Sequence, residues 1–198
     1  MKLVLATQNP KNLKDMNEIL SHLGVEVVSE AELGVRIEVE ETGETFTDNA
    51  RLKATAVMQV TGLPAVADDS GLCVDALNGG PGVYSARFGG EGLDDKGRYT
   101  LLLEMLRGQT DRAAHFHTSI VCAFPNGDEL VCEGECPGTI AFAPMGEGGF
   151  GYDPIFFVPE LRKTFGQLTA EEKASVSHRG KALRAFAAAL DDYLKGNE

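Results

Sequence analysis

Two adjacent carboxylates, Asp68 and Asp69, follow the short apolar segment 65–67 and precede Ser70. We predict that 65–67 is a short strand ending at these aspartates, which is where open α/β sheets bind their ligands. Because side chains alternate along a strand, we expect one carboxylate to enter the site and the other to brace a loop. A carboxylate in such a site can hold Mg²⁺ or accept a proton from water. A purely structural turn has the same composition, so the sequence leaves both interpretations open.

A candidate anion site lies early in the chain, where Asn9 and Pro10 are typical of a helix start, as N-cap and first helical residue. The start of a helix presents free N–H groups and the positive end of the helix dipole, and it therefore binds anions. Lys11 and Lys14 lie in this first turn, where the dipole disfavours a cation by about 0.3–1 kcal/mol. Either these lysines are exposed and tolerate that cost, or they belong to a phosphate site.

A third candidate combines the glycine-rich segment 149–154 with His178 and Arg179. Phe150 and Tyr152 suit stacking on a nucleotide base, and His178 and Arg179 supply hydrogen-bond donors for a keto oxygen. Aromatic residues beside glycine more often pack in a core, so this segment alone is weak support. Together with the phosphate loop and the acidic pair, it indicates a nucleotide-phosphate site.

Several other patterns do not support a function. The spacing G-x-G-x-x-G at 146–151 precedes a predicted strand rather than a helix, so it is not expected to bind a dinucleotide. His115 and His117 with Cys132 and Cys136 fit no strong zinc-binding pattern, and we predict strand thiols and a surface histidine pair. The sequence contains neither a G-x-x-x-x-G-K-[ST] phosphate loop nor a G-x-S-x-G nucleophile motif.

Composition limits the remaining possibilities. The 198 residues are expected to form a single domain over 1–198, and 43% hydrophobic residues are enough for a sizeable core. Eighteen basic and thirty acidic residues give a net charge of −12, which argues against binding nucleic acid or anionic membranes. The apolar start of the chain is too short for a signal peptide, and the four scattered cysteines are typical of free thiols. We therefore expect a cytoplasmic protein.

The apolar spacing predicts alternating strands and helices in the first half of the chain. The predicted strands are 2–6, 25–28, 35–40 and 65–67, and the predicted helices run from 10 to 24 and from 45 to 61. A β-α-β opening of this kind indicates parallel strand pairing.

The second half has a different pattern, with a predicted helix at 94–106 and a predicted strand at 113–124. The turn sequence at 125–128 predicts a hairpin that returns along 129–143. A strand at 154–158, a capping box at Thr169–Glu172 and a helix at 178–195 complete the pattern. The predicted fold class is α/β, with a mixed central β-sheet, flanking helices and an antiparallel lobe.

The motifs closely resemble those of the inosine triphosphate pyrophosphatase family over nearly the whole chain. In order they are A-T-x-N at 6–9, E-E-T-G-x-T-F-x-x-N-A-x-x-K-A at 40–54, A-D-D-S-G-L at 67–72, G-P-G-V-Y-S-A-R at 80–87, G-F-G-Y-D-P at 149–154 and K-x-x-x-S-H-R at 173–179. The resemblance implies two lobes around an active-site cleft, a homodimer, and Mg²⁺-assisted hydrolysis of ITP, dITP or XTP to the monophosphate and pyrophosphate.

The resemblance also implies roles for individual residues. Asp69 is the expected general base, also close to the metal, and Glu40 is expected to help hold Mg²⁺. Lys53 is expected to neutralise phosphate charge, and Ser70 is expected to contact the substrate. The expected base pocket consists of Phe150, Gly151, Tyr152, Asp153, Lys173, His178 and Arg179. The loop expected to bind the substrate consists of Thr7, Gln8, Asn9, Pro10, Lys11 and Asn12.

One position departs from the family pattern. The family's first motif reads T-x-N-x-x-K, whereas this chain has Asn12 in place of the lysine, with Lys11 one residue early and Lys14 two residues late. Either a neighbouring lysine substitutes for the missing one or the handling of phosphate is weakened. The alternative function is a nucleotide-binding module without turnover, against which the retained Asp69, Glu40 and Lys53 argue.

Overall fold

The computed structural model describes residues 1–7 and 9–197. In these residues the strands are β1 Lys2–Leu5, β2 Glu26–Ser29, β3 Ala65–Val74, β4 Ala113–Ala123, β5 Glu129–Ile140, β6 Phe156–Val158 and β7 Lys163–Thr164. The α-helices are α1 Pro10–Leu20, α2 Phe46–Thr61, α3 Asp95–Met105, α4 Ala170–Val176 and α5 His178–Gly196. Short 3-10 turns lie at Ser21–Leu23, Ala31–Leu33, Asp75–Leu77, Gly82–Arg87, Asp153–Ile155 and Phe165–Gln167.

The seven strands form one mixed sheet in the order β2-β1-β3-β4-β5-β6-β7. Strand β1 pairs in parallel with β2 (Leu3 opposite Val27) and with β3 (Val4 opposite Ala65). Strand β6 is antiparallel to both β5 and β7. The predicted α/β class with a mixed central sheet and flanking helices is therefore confirmed.

The chain divides into two compact units, each with its own buried core. Unit 1 contains 1–69, 118–134 and the chain from 181 onward, and unit 2 contains 70–117 and 135–180. In unit 1, Leu3 and Leu5 of β1 belong to the same buried cluster as Met16 of α1 and Phe186 of α5. The core of unit 2 is rich in aromatic residues and includes Phe116, Phe156 and Phe165.

Helix ends follow the sequence signals. Helix α1 begins at Pro10 with Asn9 as its N-cap, and Gly24 closes the 3-10 turn that follows α1 with a left-handed φ of 64°. The oxygen of Thr45 accepts the N–H of Asp48 at the start of α2. The oxygen of Thr169 accepts the N–H of Glu172, which starts the short helix α4. In the described ranges, no helix is both long enough and apolar enough to cross a membrane.

Strand β3 is longer than the sequence indicates. The predicted strand ends at Ala67, but β3 continues to Val74, so Asp68 and Asp69 lie inside a strand rather than at its end. The buried residues Leu72 and Val74 explain the difference, because they continue the apolar face of the strand beyond Ser70. A Ser-Gly pair indicates a turn only where the backbone N–H and C=O groups of the segment are not hydrogen-bonded to a neighbouring strand.

Segment 35–40 is not a strand, although its residues alternate between half-buried and exposed as predicted. Two of its backbone N–H groups donate to a single residue rather than to a neighbouring strand. The N–H of Val35 donates to the Glu30 carbonyl and the N–H of Ile37 donates to the Glu30 carboxylate, both at 3.0 Å. Three other predicted elements differ by two or more residues at one end. Helix α1 stops at Leu20 and is followed by a 3-10 turn, β5 stops at Ile140, and β6 begins only at Phe156, after a 3-10 turn.

Candidate functional site

In unit 1, the ammonium group of Lys53 lies among oxygen atoms from three residues. Lys53 Nζ is 2.7 Å from the Asp68 carbonyl oxygen, 3.0 Å from Glu41 Oε1 and 3.9 Å from Asp69 Oδ1. Helix α2 supplies the lysine and β3 supplies both aspartates. The Lys53 and Asp69 side chains are only 21% and 13% exposed, so water screens their attraction less than at an open surface. This position therefore stabilises positive charge.

The second oxygen of Asp69 is held by a buried amide. Asn49 Nδ2 donates to Asp69 Oδ2 over 3.2 Å, and Asn49 Oδ1 accepts the N–H of Gly43 over 2.7 Å. The Asn49 side chain is completely buried, so its two hydrogen bonds are the physical reason that an amide is tolerated there. Asn49 thus fixes the orientation of the Asp69 carboxylate. Asp68 contributes its backbone carbonyl to the same group.

Two contributors to this group have no role assigned from the sequence, namely Glu41 and Asn49. Both lie in the 40–54 motif, and Asn49 had a detectable signal, because asparagine is a poor helix former inside the first turns of a helix. Glu40, which was expected to hold the metal, has an exposed side chain next to Glu41. Ser70 is also exposed.

A cavity of about 270 Å³ lies beside Lys53 in unit 1. Its lining includes Thr7 from the end of β1, Lys53, and the acidic residues Glu30 and Glu38. Cavities for whole organic ligands are typically about 300–1,000 Å³, so this one suits ions and phosphate groups better than a complete nucleotide.

The loop between β1 and α1 is organised around Thr7. Thr7 Oγ1 accepts hydrogen bonds from the N–H of Asn9 at 3.2 Å and from Asn12 Nδ2 at 3.3 Å. Asn9 Oδ1 in turn accepts the N–H of Lys11, which confirms the predicted N-cap. Lys11 itself is exposed. The remaining residue of the expected loop, Gln8, lies outside the described residues.

In unit 2, Asp153 connects Phe150 to Lys173. Asp153 Oδ2 accepts the N–H of Phe150 at 3.0 Å and lies 2.5 Å from Lys173 Nζ. Lys173 Nζ also lies 4.7 Å from the centroid of the Phe150 ring, and Phe150 is 70% exposed. Gly149 permits this arrangement, because its φ is +74° and an added Cβ would lie 1.9 Å from Asp153 Oδ2. The turn therefore presents an open aromatic face beside a cation.

Tyr152 and Gly151 are tied to other parts of unit 2. The buried hydroxyl of Tyr152 donates to the Ser85 carbonyl over 2.7 Å, and burial raises the pKa of Tyr152 to about 12. The N–H of Gly151 donates to Asp95 Oδ2, at the start of α3, over 2.8 Å. These two contacts anchor the turn that carries Phe150.

His178 and Arg179 are the first two residues of α5, and both are half-buried. Ser177 Oγ accepts the N–H of Gly180 at 3.0 Å, which is the geometry of a helix N-cap. The His178 ring stacks on Phe116, with centroids 4.7 Å apart and planes 12° apart. The imidazole plane is thereby fixed by the core of unit 2.

The oxygen atoms around Lys53 fit a hard divalent cation. Mg²⁺ is usually held by one or two carboxylates together with water and phosphate oxygens. Asp69 and Glu41, which both lie close to Lys53, provide such a pair of carboxylates, and the lysine ammonium already occupies a place that favours positive charge.

Known proteins resemble this chain over nearly its full length. The dITP/XTP pyrophosphatase of Exiguobacterium sp. is 49% identical over 196 residues, which cover 99% of this chain and 100% of the relative. The dITP/XTP pyrophosphatase of Desulforamulus reducens is 53% identical over 186 residues, which cover 93% of this chain and 92% of the relative.

Solved structures agree with these relatives. The Staphylococcus aureus Ham1 protein has a TM-score of 0.90 and 41% identity, with 100% of both chains covered. A HAM1 protein from Coxiella burnetii has a TM-score of 0.93 and 42% identity, with 97% of this chain and 99% of the other covered. The Ham1 family model matches residues 3–189. The resemblance seen in the motifs is thereby confirmed, and the chain belongs to the Ham1 family.

Proposed function

We propose that this protein hydrolyses deaminated purine nucleoside triphosphates (ITP, dITP and XTP) between the α- and β-phosphates, releasing the monophosphate and pyrophosphate. One water molecule is consumed for each bond broken. The observation that carries the proposal is the contact of Lys53 and Asn49 with Asp69, because it combines a cation for phosphate with an oriented carboxylate. The names of the similar proteins support the substrate class.

Binding of the triphosphate is assigned to the group around Lys53 in unit 1, which includes Glu41, Asn49, Asp68 and Asp69. A triphosphate brings about four negative charges to a protein whose net charge is −12, so local cations are required. Lys53 is the cation for this task, since it lines the cavity and sits at the edge of an oxygen cluster. The hydroxyl of Thr7, which lines the cavity and accepts two hydrogen bonds within the loop, is a further donor for phosphate oxygens.

Asp69 is assigned as the general base. Its Oδ2 is held by Asn49, so the carboxylate is presented in one orientation and does not need to be ordered during the reaction. An ionised carboxylate in this position accepts the proton of the attacking water, a contribution typically worth about 10²–10⁴ in rate. When bound, Mg²⁺ supplies Lewis-acid stabilisation of the charge on the phosphate oxygens.

We assign Asp69 and Glu40 as the ligands of the metal. Glu41 is assigned as the residue that orients Lys53. The Glu41 carboxylate is already paired with Lys53 at 3.0 Å, whereas the Glu40 side chain is exposed and open to an ion. Replacing Glu40→Gln should raise the Mg²⁺ concentration for half-maximal pyrophosphate release by about tenfold or more, because a metal ligand is lost.

The matched variant is Glu41→Gln, which should lower kcat/KM while leaving the Mg²⁺ requirement close to that of the unmodified protein. If Glu41→Gln shifts the Mg²⁺ requirement more than Glu40→Gln does, Glu41 is the ligand and the assignment is reversed.

Binding of the purine base is assigned to residues of unit 2, namely Phe150, Lys173, His178 and Arg179. The open ring of Phe150 is suited to stacking on a base, and Lys173 is positioned over the same ring. His178 and Arg179 are assigned as donors to the keto oxygen at position 6, where adenine carries an amino group. An amino group there would leave these donors unpaired, and mismatches of this kind give about 10⁴-fold discrimination.

The test is pyrophosphate release from ITP, dITP, XTP, GTP and ATP, each measured with and without Mg²⁺. We expect kcat/KM for ITP, dITP and XTP to exceed that for ATP by up to about 10⁴-fold, with activity dependent on the metal. Equal rates with ITP and ATP, or release of orthophosphate instead of pyrophosphate, would contradict the proposal. Tight binding of ITP without turnover would identify the alternative, a nucleotide-binding module.

A further inference from the structure

A second group of ionisable side chains lies on strands β4 and β5, within unit 2. Ala114 and Phe116 of β4 are buried, so the alternating residues His115 and His117 project from the opposite face of the strand. On β5, Cys136 is buried and its neighbour Glu135 is exposed. The strand geometry thus brings two imidazoles and one carboxylate to one face.

The three side chains are close enough to share a ligand. One nitrogen of each histidine and one carboxylate oxygen of Glu135 all lie within 4.8 Å of one another. His117 Nδ1 and Glu135 Oε1 are 2.9 Å apart. Ligands about 2.0–2.1 Å from a tetrahedral zinc ion are themselves about 3.4 Å apart, so small side-chain rotations suffice to close the site.

We propose that His115, His117 and Glu135 form a transition-metal site, with Zn²⁺ as the ion that fits best and water in the fourth position. Two imidazole nitrogens and one carboxylate suit zinc, whereas Mg²⁺ prefers oxygen ligands only. Both histidines are on one strand and the glutamate is on the next, so a bound ion links β4 to β5. This site is chemically distinct from the oxygen group around Lys53.

The geometry also explains why a zinc pattern was not apparent in the sequence. The cysteines considered with these histidines, Cys132 and Cys136, are buried and belong to hydrophobic clusters. The third ligand is instead Glu135, which lies 18 residues from His117 and is adjacent only through strand pairing. The alternative is that His117 and Glu135 form an ordinary cross-strand pair in which His115 takes no part.

The experiment is isothermal titration of the full-length, tag-free protein with Zn²⁺ in a buffer without chelators. We expect one site, weakened at least about tenfold in each of His115→Gln, His117→Gln and Glu135→Gln. The matched control is His22→Gln, which removes an exposed histidine from another part of the chain and should leave the affinity unchanged. Circular dichroism establishes that each variant is folded.

Co²⁺ supplies an independent readout, because its visible spectrum reports coordination geometry. The unmodified protein should give a spectrum typical of four-coordinate Co²⁺, and His115→Gln should lose it. The proposal is overturned if the unmodified protein does not bind Zn²⁺, or if His115→Gln binds Zn²⁺ and Co²⁺ as the unmodified protein does. Because the readout is metal binding, its outcome is independent of the proposed pyrophosphatase activity.

Discussion

Lys53 and Asp69 show how much of the site depends on contacts between distant parts of the chain. The pair are 3.9 Å apart, and each is held by a further residue, Glu41 for the lysine and Asn49 for the aspartate. Motif matching singles out Lys53 and Asp69 as candidate functional residues. It does not reveal that Glu41 and Asn49 position them, because this depends on how segment 41–49 packs against β3.

Asn12 stands where the expected first motif, T-x-N-x-x-K, has a lysine, and it offers a test of the proposed phosphate binding. Asn12 Nδ2 donates to Thr7, which lines the cavity beside Lys53, whereas Lys11 is exposed. Asn12→Lys should therefore place a cation on the cavity side of α1. A charge-assisted contact is worth about 1.5–3 kcal/mol. If the contact forms mainly in the transition state, kcat/KM for ITP should rise by roughly 10–150-fold.

Lys11→Ala is the companion variant, and its kcat/KM for ITP should fall only slightly. Successive helical residues are about 100° apart, so Lys11 projects in a different direction from Asn12. No gain from Asn12→Lys together with a large loss from Lys11→Ala would contradict this account. It would show that Lys11, one residue early, already acts as the phosphate lysine.

Among the structural elements, the turn at 149–154 depends on Gly149. Gly149→Ala would place a methyl group 1.9 Å from Asp153 Oδ2 in a left-handed backbone conformation. Asp153 must then move, which disturbs its contacts with both Phe150 and Lys173. We expect kcat/KM for ITP to fall at least about tenfold in addition to a loss of stability of about 1–2 kcal/mol.

The matched control is Gly62→Ala, which has a similar φ of +68° but open space around the added Cβ. Thermal denaturation should show a comparable loss of stability for Gly62→Ala, and its kcat/KM for ITP should be unchanged. If the two variants lose the same fraction of activity, the turn at 149–154 has no specific role in substrate binding.

Elements also show where the sequence signals are insufficient. The ends of α1 and α2 follow from caps, because Asn9 and Thr45 satisfy backbone N–H groups locally. The length of β3 and the irregular form of 35–40 do not follow from caps. The length of β3 depends on the burial of Leu72 and Val74. Glu30 accepts the N–H groups of Val35 and Ile37, and no local pattern predicts that a glutamate will replace a neighbouring strand.

For the molecule as a whole, the fold class follows from periodicity, and the family follows from the motifs. The division into two units is harder to predict from the sequence, because β3, β4 and β5 each contribute residues to both units. Unit 1 contains the group around Lys53 and Asp69, and unit 2 contains the group around Asp153 and Lys173. Because the net charge of the protein is −12, binding of the proposed polyanionic substrate requires local cations such as Lys53.

The proposed activation of the attacking water by Asp69 is tested by steady-state pyrophosphate release from ITP in the variants Asp69→Asn and Asp68→Asn. Asp69→Asn should lower kcat by about 10²–10⁴ while the protein stays folded, because the amide cannot accept the proton. The kcat of Asp68→Asn should fall far less, because Asp68 contacts Lys53 through its backbone carbonyl. Near-normal turnover by Asp69→Asn, or an equal loss in both variants, would contradict the assignment.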